Sequence, residues 1–60
     1  MYKTIVYCES GEFPIESEDK LNIFTLKGMI YLQEDKRDIF VINKNGLIAI
    51  ELNKEIIKNK

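Results

Sequence analysis

Apolar and polar positions in this chain fall into short clusters with the spacing of strands rather than helices. YKTIVYC, residues 2–8, is rich in aromatic and β-branched residues and has the length of one strand. Lys3 is its only charge, so both faces are expected to be at least partly covered, as in a central strand or one at a subunit contact. ESGEFP then reads as a turn and loop, with Gly11 supplying backbone freedom and Pro14 holding Phe13 extended. Ile15 anchors that loop or belongs to a very short strand. After the polar stretch ESEDK, LNIFTL carries apolar residues on both parities, Leu21 and Ile23 on one and Phe24 and Leu26 on the other, which a bulge would reconcile. Gly28 interrupts LNIFTLKGMIYL as a bend within one long strand or as a reversal between two. The bend is favoured, because Lys27-Gly28 lacks the strongest two-residue turn pattern. MIYLQ continues as a strand, and QEDKRD, residues 33–38, forms a polar reversal.

VINKNGLIAIEL, residues 41–52, carries the clearest hairpin signal. A type I′ turn at Asn45-Gly46 would set Lys44 opposite Leu47, Ile42 opposite Ala49 and Val41 opposite Ile50. Ile39, Val41, Ile48, Ile50 and Leu52 would line one apolar face, while Phe40, Ile42, Leu47 and Ala49 make the other apolar too. A chain of 60 residues has little left to cover that second face, which predicts self-association. NKEIIKNK, residues 53–60, suits a short helix capped by Asn53 or a frayed tail. The expected architecture over residues 1–60 is a single, mainly all-β domain: a small curved antiparallel sheet or barrel-like fold of four to five strands with a short C-terminal helix or tail.

Composition supports folding but offers little chemistry. The hydrophobic fraction is 45% and the charged fraction 32%, which belong to a folded rather than a disordered chain. With one cysteine and no histidine, an internal disulfide, a usual zinc site and imidazole catalysis have no residues to build on. Cys8 is therefore expected to be a small core residue, because nothing in the sequence activates its thiol. Glu16, Glu18, Asp19, Glu34, Asp35 and Asp38 form two acidic loops able to approach one another, without the spacing of a calcium loop. Gly11, Gly28 and Gly46 are too scattered to cradle a phosphate. No catalytic, cofactor-binding or metal-binding residue is assigned, and no cofactor is expected. Apolar runs are too short for membrane insertion, and the opening residues lack the features of a secretory leader, so the expected location is cytoplasmic.

Charge is uneven although the net value is −1. Residues 1–35 hold three lysines against seven carboxylates, a balance of −4, and residues 36–60 hold six basic residues against three acidic ones, a balance of +3. Lys36, Arg37, Lys44, Lys54 and Lys58 are accordingly candidates for nucleic-acid phosphates. NKNGLIAIELNKEI resembles the centre of the swapped-hairpin antitoxin and transition-state regulators, in which a glycine turn precedes a β-branched strand and then a helix. That resemblance implies a DNA-binding dimer of intertwined hairpins. It departs from the family at Leu47, where a basic residue is common, and at Glu51, where a proline introduces the helix.

The preferred expectation is a non-enzymatic interaction or regulatory module that binds another protein as a homo-oligomer. Its candidate contact residues are Tyr31, Phe40, Ile42, Leu47 and Ala49. The alternative is a dimeric nucleic-acid-binding transcriptional regulator using the basic half.

Overall fold

A computed structural model of the chain describes residues 1–57. Six strands occur in chain order: β1 (Tyr2–Cys8), β2 (Gly11–Ser17), β3 (Asn22–Leu26), β4 (Met29–Glu34), β5 (Arg37–Asn43) and β6 (Leu47–Glu55). They form two three-stranded antiparallel sheets, ordered β2-β1-β6 and β3-β4-β5. The all-β expectation holds, with six strands in two sheets in place of the expected four to five in one curved sheet, because the chain crosses between sheets after β5. The sheets do not close into a barrel, and the one helical element among the described residues is a three-residue 3-10 turn, Lys44–Gly46. None of the described helices is long and apolar enough to cross a membrane.

Three tight reversals build most of the ladder. Cys8 pairs with Gly11, Leu26 with Met29 and Glu34 with Arg37, leaving two residues in each turn. Lys27 and Gly28 have φ of 51° and 79°, and Asp35 and Lys36 have φ of 50° and 68°. Positive φ at both central residues is the type I′ signature, whose twist matches that of paired strands. Gly28 is thus a reversal between two strands, contrary to the expected bend. The segment around Pro14 is also more regular than expected: it lies within β2, an edge strand, where a missing N–H is tolerated.

The Asn45-Gly46 hairpin does not form. Asn43 accepts a hydrogen bond from the Asn45 amide at 2.9 Å on its side-chain oxygen, capping the 3-10 turn. The turn carries the chain out of one sheet and into the other, so β5 pairs with β4 while β6 pairs with β1. The predicted pairing of residues 39–44 with 47–52 is therefore absent, and with it the double-faced hairpin and the antitoxin-like element. The expected helix at residues 53–60 is corrected as far as Glu55, which ends β6; residues 58–60 lie outside the described residues.

Val6, Leu21 and Leu32 form the fully buried centre between the sheets, with Ile15, Ile39, Phe40, Ile42, Leu47 and Ile50 packed around it. Alternation explains the selection: Thr4, Val6 and Cys8 project from one side of β1, and Ile30 and Leu32 from one side of β4. Polar groups join the layers as well. Asn53 in β6 has φ of 54°. Its side chain accepts from the Leu21 amide at 2.8 Å and donates to the Leu21 carbonyl at 2.9 Å, while its own amide donates to Thr4 Oγ1 at 3.1 Å. The Cα atoms span 43 × 25 × 11 Å with a radius of gyration of 11.9 Å. About 10.4 Å is usual for this length, so the chain is more elongated than an average domain of its size.

Candidate interaction surface

The strand register defines the outer face of the β3-β4-β5 sheet. Ile30 and Leu32 point into the core, so Met29, Tyr31 and Gln33 take the opposite side of β4. Residues paired across an antiparallel ladder share a face. Phe24 and Val41 therefore flank Tyr31, Leu26 and Asn43 flank Met29, and Asn22 and Asp38 flank Gln33. The middle row contains a parallel aromatic stack, Phe24 on Tyr31, with centroids 4.8 Å apart and planes 6° from parallel. Leu26 remains 52% exposed, Val41 43% and Phe24 40%. One end of this apolar field has a polar border, where the Gln33 amide donates a hydrogen bond to Asp38 Oδ1 at 2.6 Å.

Of the residues expected to bind protein, the fold brings only Tyr31 into this field. Phe40 and Ile42 lie on the inner side of β5, paired with Leu32 and Ile30. Phe40 also packs against Phe13 with centroids 5.8 Å apart. Leu47 packs against the core from β6. Ala49 is exposed on the other sheet, opposite Tyr7. Phe40, Ile42, Leu47 and Ala49 were grouped by a hairpin that does not form, with Tyr31 added as an anchor, and the five lie on different faces of the two sheets. Phe24, Leu26, Met29 and Val41 were missed. For Phe24 and Leu26 the signal was the second apolar parity of LNIFTL, which the expected bulge explained away; Met29 and Val41 join them only through the β3-β4-β5 register.

The basic candidates are also dispersed. Lys36 and Arg37 sit at one end of β5 and Lys44 just beyond the other. Arg37 lies 3.7 Å from Glu34, and Lys36 follows Asp35 in the turn. Lys54 belongs to β6, opposite Lys3, with Glu16 across β1. These residues make no continuous positive track. Lys58 lies outside the described residues.

The two acidic loops do come together, lining a concavity of about 570 Å³ with Glu16, Glu18, Asp19, Glu34 and Asp35. The Asp19 amide donates to Glu34 Oε2 at 3.2 Å, and Ser17 Oγ donates to the Asp19 carbonyl at 2.7 Å. Asp38 instead faces Gln33 on the outer sheet face. Among the described residues, no three carboxylates or thiols converge on a position suited to a metal ion. Cys8 is buried, with its thiol donating to the Gly11 carbonyl at 3.4 Å and within 3.5 Å of Ser10 Oγ, as expected of a core cysteine.

One ionisable group on the outer face of the β2-β1-β6 sheet is perturbed. Tyr7 donates a hydrogen bond to Glu51 Oε1 at 3.3 Å. Partial loss of solvent raises its pKa above 10.0, and the Glu51 charge, the hydrogen bond to Glu51 and the Glu12 charge raise it further. All of these favour the neutral phenol at physiological pH, a structural contact rather than an acid or base prepared for proton transfer. In comparison with known proteins, the chain matches no protein-family model, no curated protein and no solved structure.

Proposed function

We propose that this protein is a non-enzymatic interaction module that docks its β3-β4-β5 outer face against an apolar surface of another protein. The observation that carries this reading is the stack of exposed Phe24 on half-buried Tyr31, bordered by exposed Leu26 and Val41 and half-buried Met29. Water-facing aliphatic and aromatic side chains arranged as a contiguous field, rather than singly, gain free energy when a complementary surface covers them. Aromatic anchors give such contacts large area with few rotatable bonds.

The test begins with affinity capture using wild-type protein, followed by purification of the captured protein and titration with Phe24→Ser and Val41→Ser variants. Each substitution is expected to weaken the purified complex at least tenfold while leaving the circular dichroism spectrum unchanged. Equal affinity for wild type and both variants would reject this face. A parallel titration against duplex and single-stranded oligonucleotides at two salt concentrations addresses the nucleic-acid alternative. Salt-sensitive binding that disappears in Lys36→Glu, Lys44→Glu and Lys54→Glu variants would replace the protein-docking reading.

A further inference from the structure

Four strands lie at sheet edges, and three of them carry features that discourage further pairing. β2 has Pro14 at its centre and Glu12 and Glu16 on its outer face. β5 begins with Arg37 and Asp38 and has a bulge at Ile39, where Phe40 pairs with Leu32 but Asp38 with Gln33. β6 carries Glu51, Lys54 and Glu55 and shifts register twice along β1. Charges, proline and bulges are the usual protections of an exposed edge. β3, sequence NIFTL, has none of them. It is uncharged, its register with β4 is unbroken, and all five of its residues are exposed.

The backbone of β3 also specifies how another strand would join it. Leu26 and Met29 close a two-residue turn and so form a hydrogen-bonded pair. Such pairs alternate along an antiparallel ladder, which directs the backbone groups of Phe24 and Asn22 toward β4 and those of Ile23 and Thr25 outward. Leu21, the next residue of that parity, already has both backbone groups bonded to the Asn53 side chain. Within β3, the outward donors and acceptors are therefore those of Ile23 and Thr25, symmetrically placed about Phe24.

We infer that β3 pairs antiparallel with β3 of a second copy, about a two-fold axis through Phe24. In this register Ile23 of each copy exchanges two hydrogen bonds with Thr25 of the other, using all four outward pairs of groups on the two strands. Phe24 meets its own counterpart, and Asn22 meets Leu26. Side-chain parity is preserved, so the two outer faces become one face of a six-stranded sheet. No charged residue faces a like charge: Lys27 lies opposite Leu21 and Lys20 opposite Gly28. Sliding the register by two residues in one direction would call on Leu21, whose groups are taken. Sliding it in the other would call on Lys27, whose turn conformation takes it out of the strand.

A second copy is the occupant because the edge is self-complementary: the two outward residues Ile23 and Thr25 lie symmetrically about Phe24, and the uncharged strand meets no like charge in that register. The pairing rests on the β3 backbone and stands whether or not the outer face binds another protein.

Absolute molar mass, measured by light scattering across a hundredfold concentration range, tests the pairing. Wild-type protein is expected to move from 7.1 kDa toward twice that mass. Thr25→Pro removes an outward N–H without touching the β4 ladder and is expected to weaken dimerisation at least tenfold. Phe24→Cys provides a check that does not depend on the proline variant folding. The two-fold places these thiols on a non-hydrogen-bonded pair about 4.5 Å apart at Cα, within disulfide range. Oxidised glutathione, itself reduced to two thiols, should link the Phe24→Cys chains at low micromolar protein, whereas an Ile48→Cys control on the other sheet should stay unlinked. A wild-type monomer at every concentration, a dimer unaffected by Thr25→Pro, or no preferential linkage through position 24 would each overturn the pairing.

Discussion

Replacing Asn53 by alanine is expected to remove a large share of the fold's stability. Two contributions can be separated. The side-chain amide satisfies both the amide and the carbonyl of Leu21, whose own side chain is only 2% exposed in the core. Leaving a partly buried backbone group without its partner costs about 1 kcal/mol at the lower end of the usual range, hence about 2 kcal/mol for the pair. The second contribution is conformational. Asn53 has a φ of 54°, in the left-handed region that asparagine tolerates and alanine enters at a cost of about 1 kcal/mol. The expected loss for Asn53→Ala is therefore about 3 kcal/mol. Asn53→Gly, which accepts the backbone conformation but lacks the amide, should lose about 2 kcal/mol. A domain of this length has a total stability of roughly 3–9 kcal/mol, so the alanine variant stands near the limit of folding. Urea titration followed by far-ultraviolet circular dichroism measures both losses, with a slope of about 1 kcal/mol per molar giving midpoint shifts of roughly 3 M and 2 M. An alanine variant within about 0.5 kcal/mol of wild type would refute the coupling of the two sheets through this residue. A glycine variant as stable as wild type would show that the backbone, and not the amide, accounts for the effect.

Two further outcomes follow from local geometry. Gly28→Ala, at a φ of 79° with open space around the added methyl, should destabilise by about 1 kcal/mol through backbone strain alone, measurable in the same urea titration. Tyr7 should titrate above 10.0 by ultraviolet absorbance, and Glu51→Gln should lower its pKa by removing both the charge and the carboxylate acceptor. Because folding raises this pKa, the associated stability is present below the unfolded value near 10 and is lost as pH rises through the folded value. Tyr7→Phe should remove that alkaline component, and an identical alkaline stability profile in the variant would contradict the assignment.

The strand content was legible in the sequence because it rests on local chemistry. YKTIVYC and MIYLQ announce β1 and β4 through their β-branched and aromatic residues, whereas ESGEFP reads as a turn and loop, with only Phe13 extended, and from Gly11 onward lies within β2. Which strands pair was less accessible. Asn45-Gly46 has the composition of a hairpin turn, but Asn43 turns its side chain onto the Asn45 amide, and the following strand finds its partner in β1, 39 to 53 residues earlier in the chain. No spacing rule within residues 41–52 contains that information. Lys27-Gly28 shows the converse: a weaker turn signature closes a hairpin because Leu26 and Met29 extend a well-matched ladder on either side. The candidate surface was obscured for the same reason. Phe24, Tyr31 and Val41 come from three different strands, and only their register shows that they form one row.

The pairing of β1 with β6 also sets an order on assembly during synthesis. β3, β4 and β5 are joined by two-residue turns, so their sheet can form as soon as its own short segment is free. β1 can pair with β2 equally early, yet its opposite edge has no partner until residues 47–55 emerge. The nascent chain therefore passes through an interval with one sheet assembled and the other missing a strand. In that interval Val6 has apolar neighbours on β2 but not Ile50, its partner on β6. Protection of β1 amides from hydrogen exchange should consequently lag behind that of β4 amides when ribosome-bound chains of increasing length are compared.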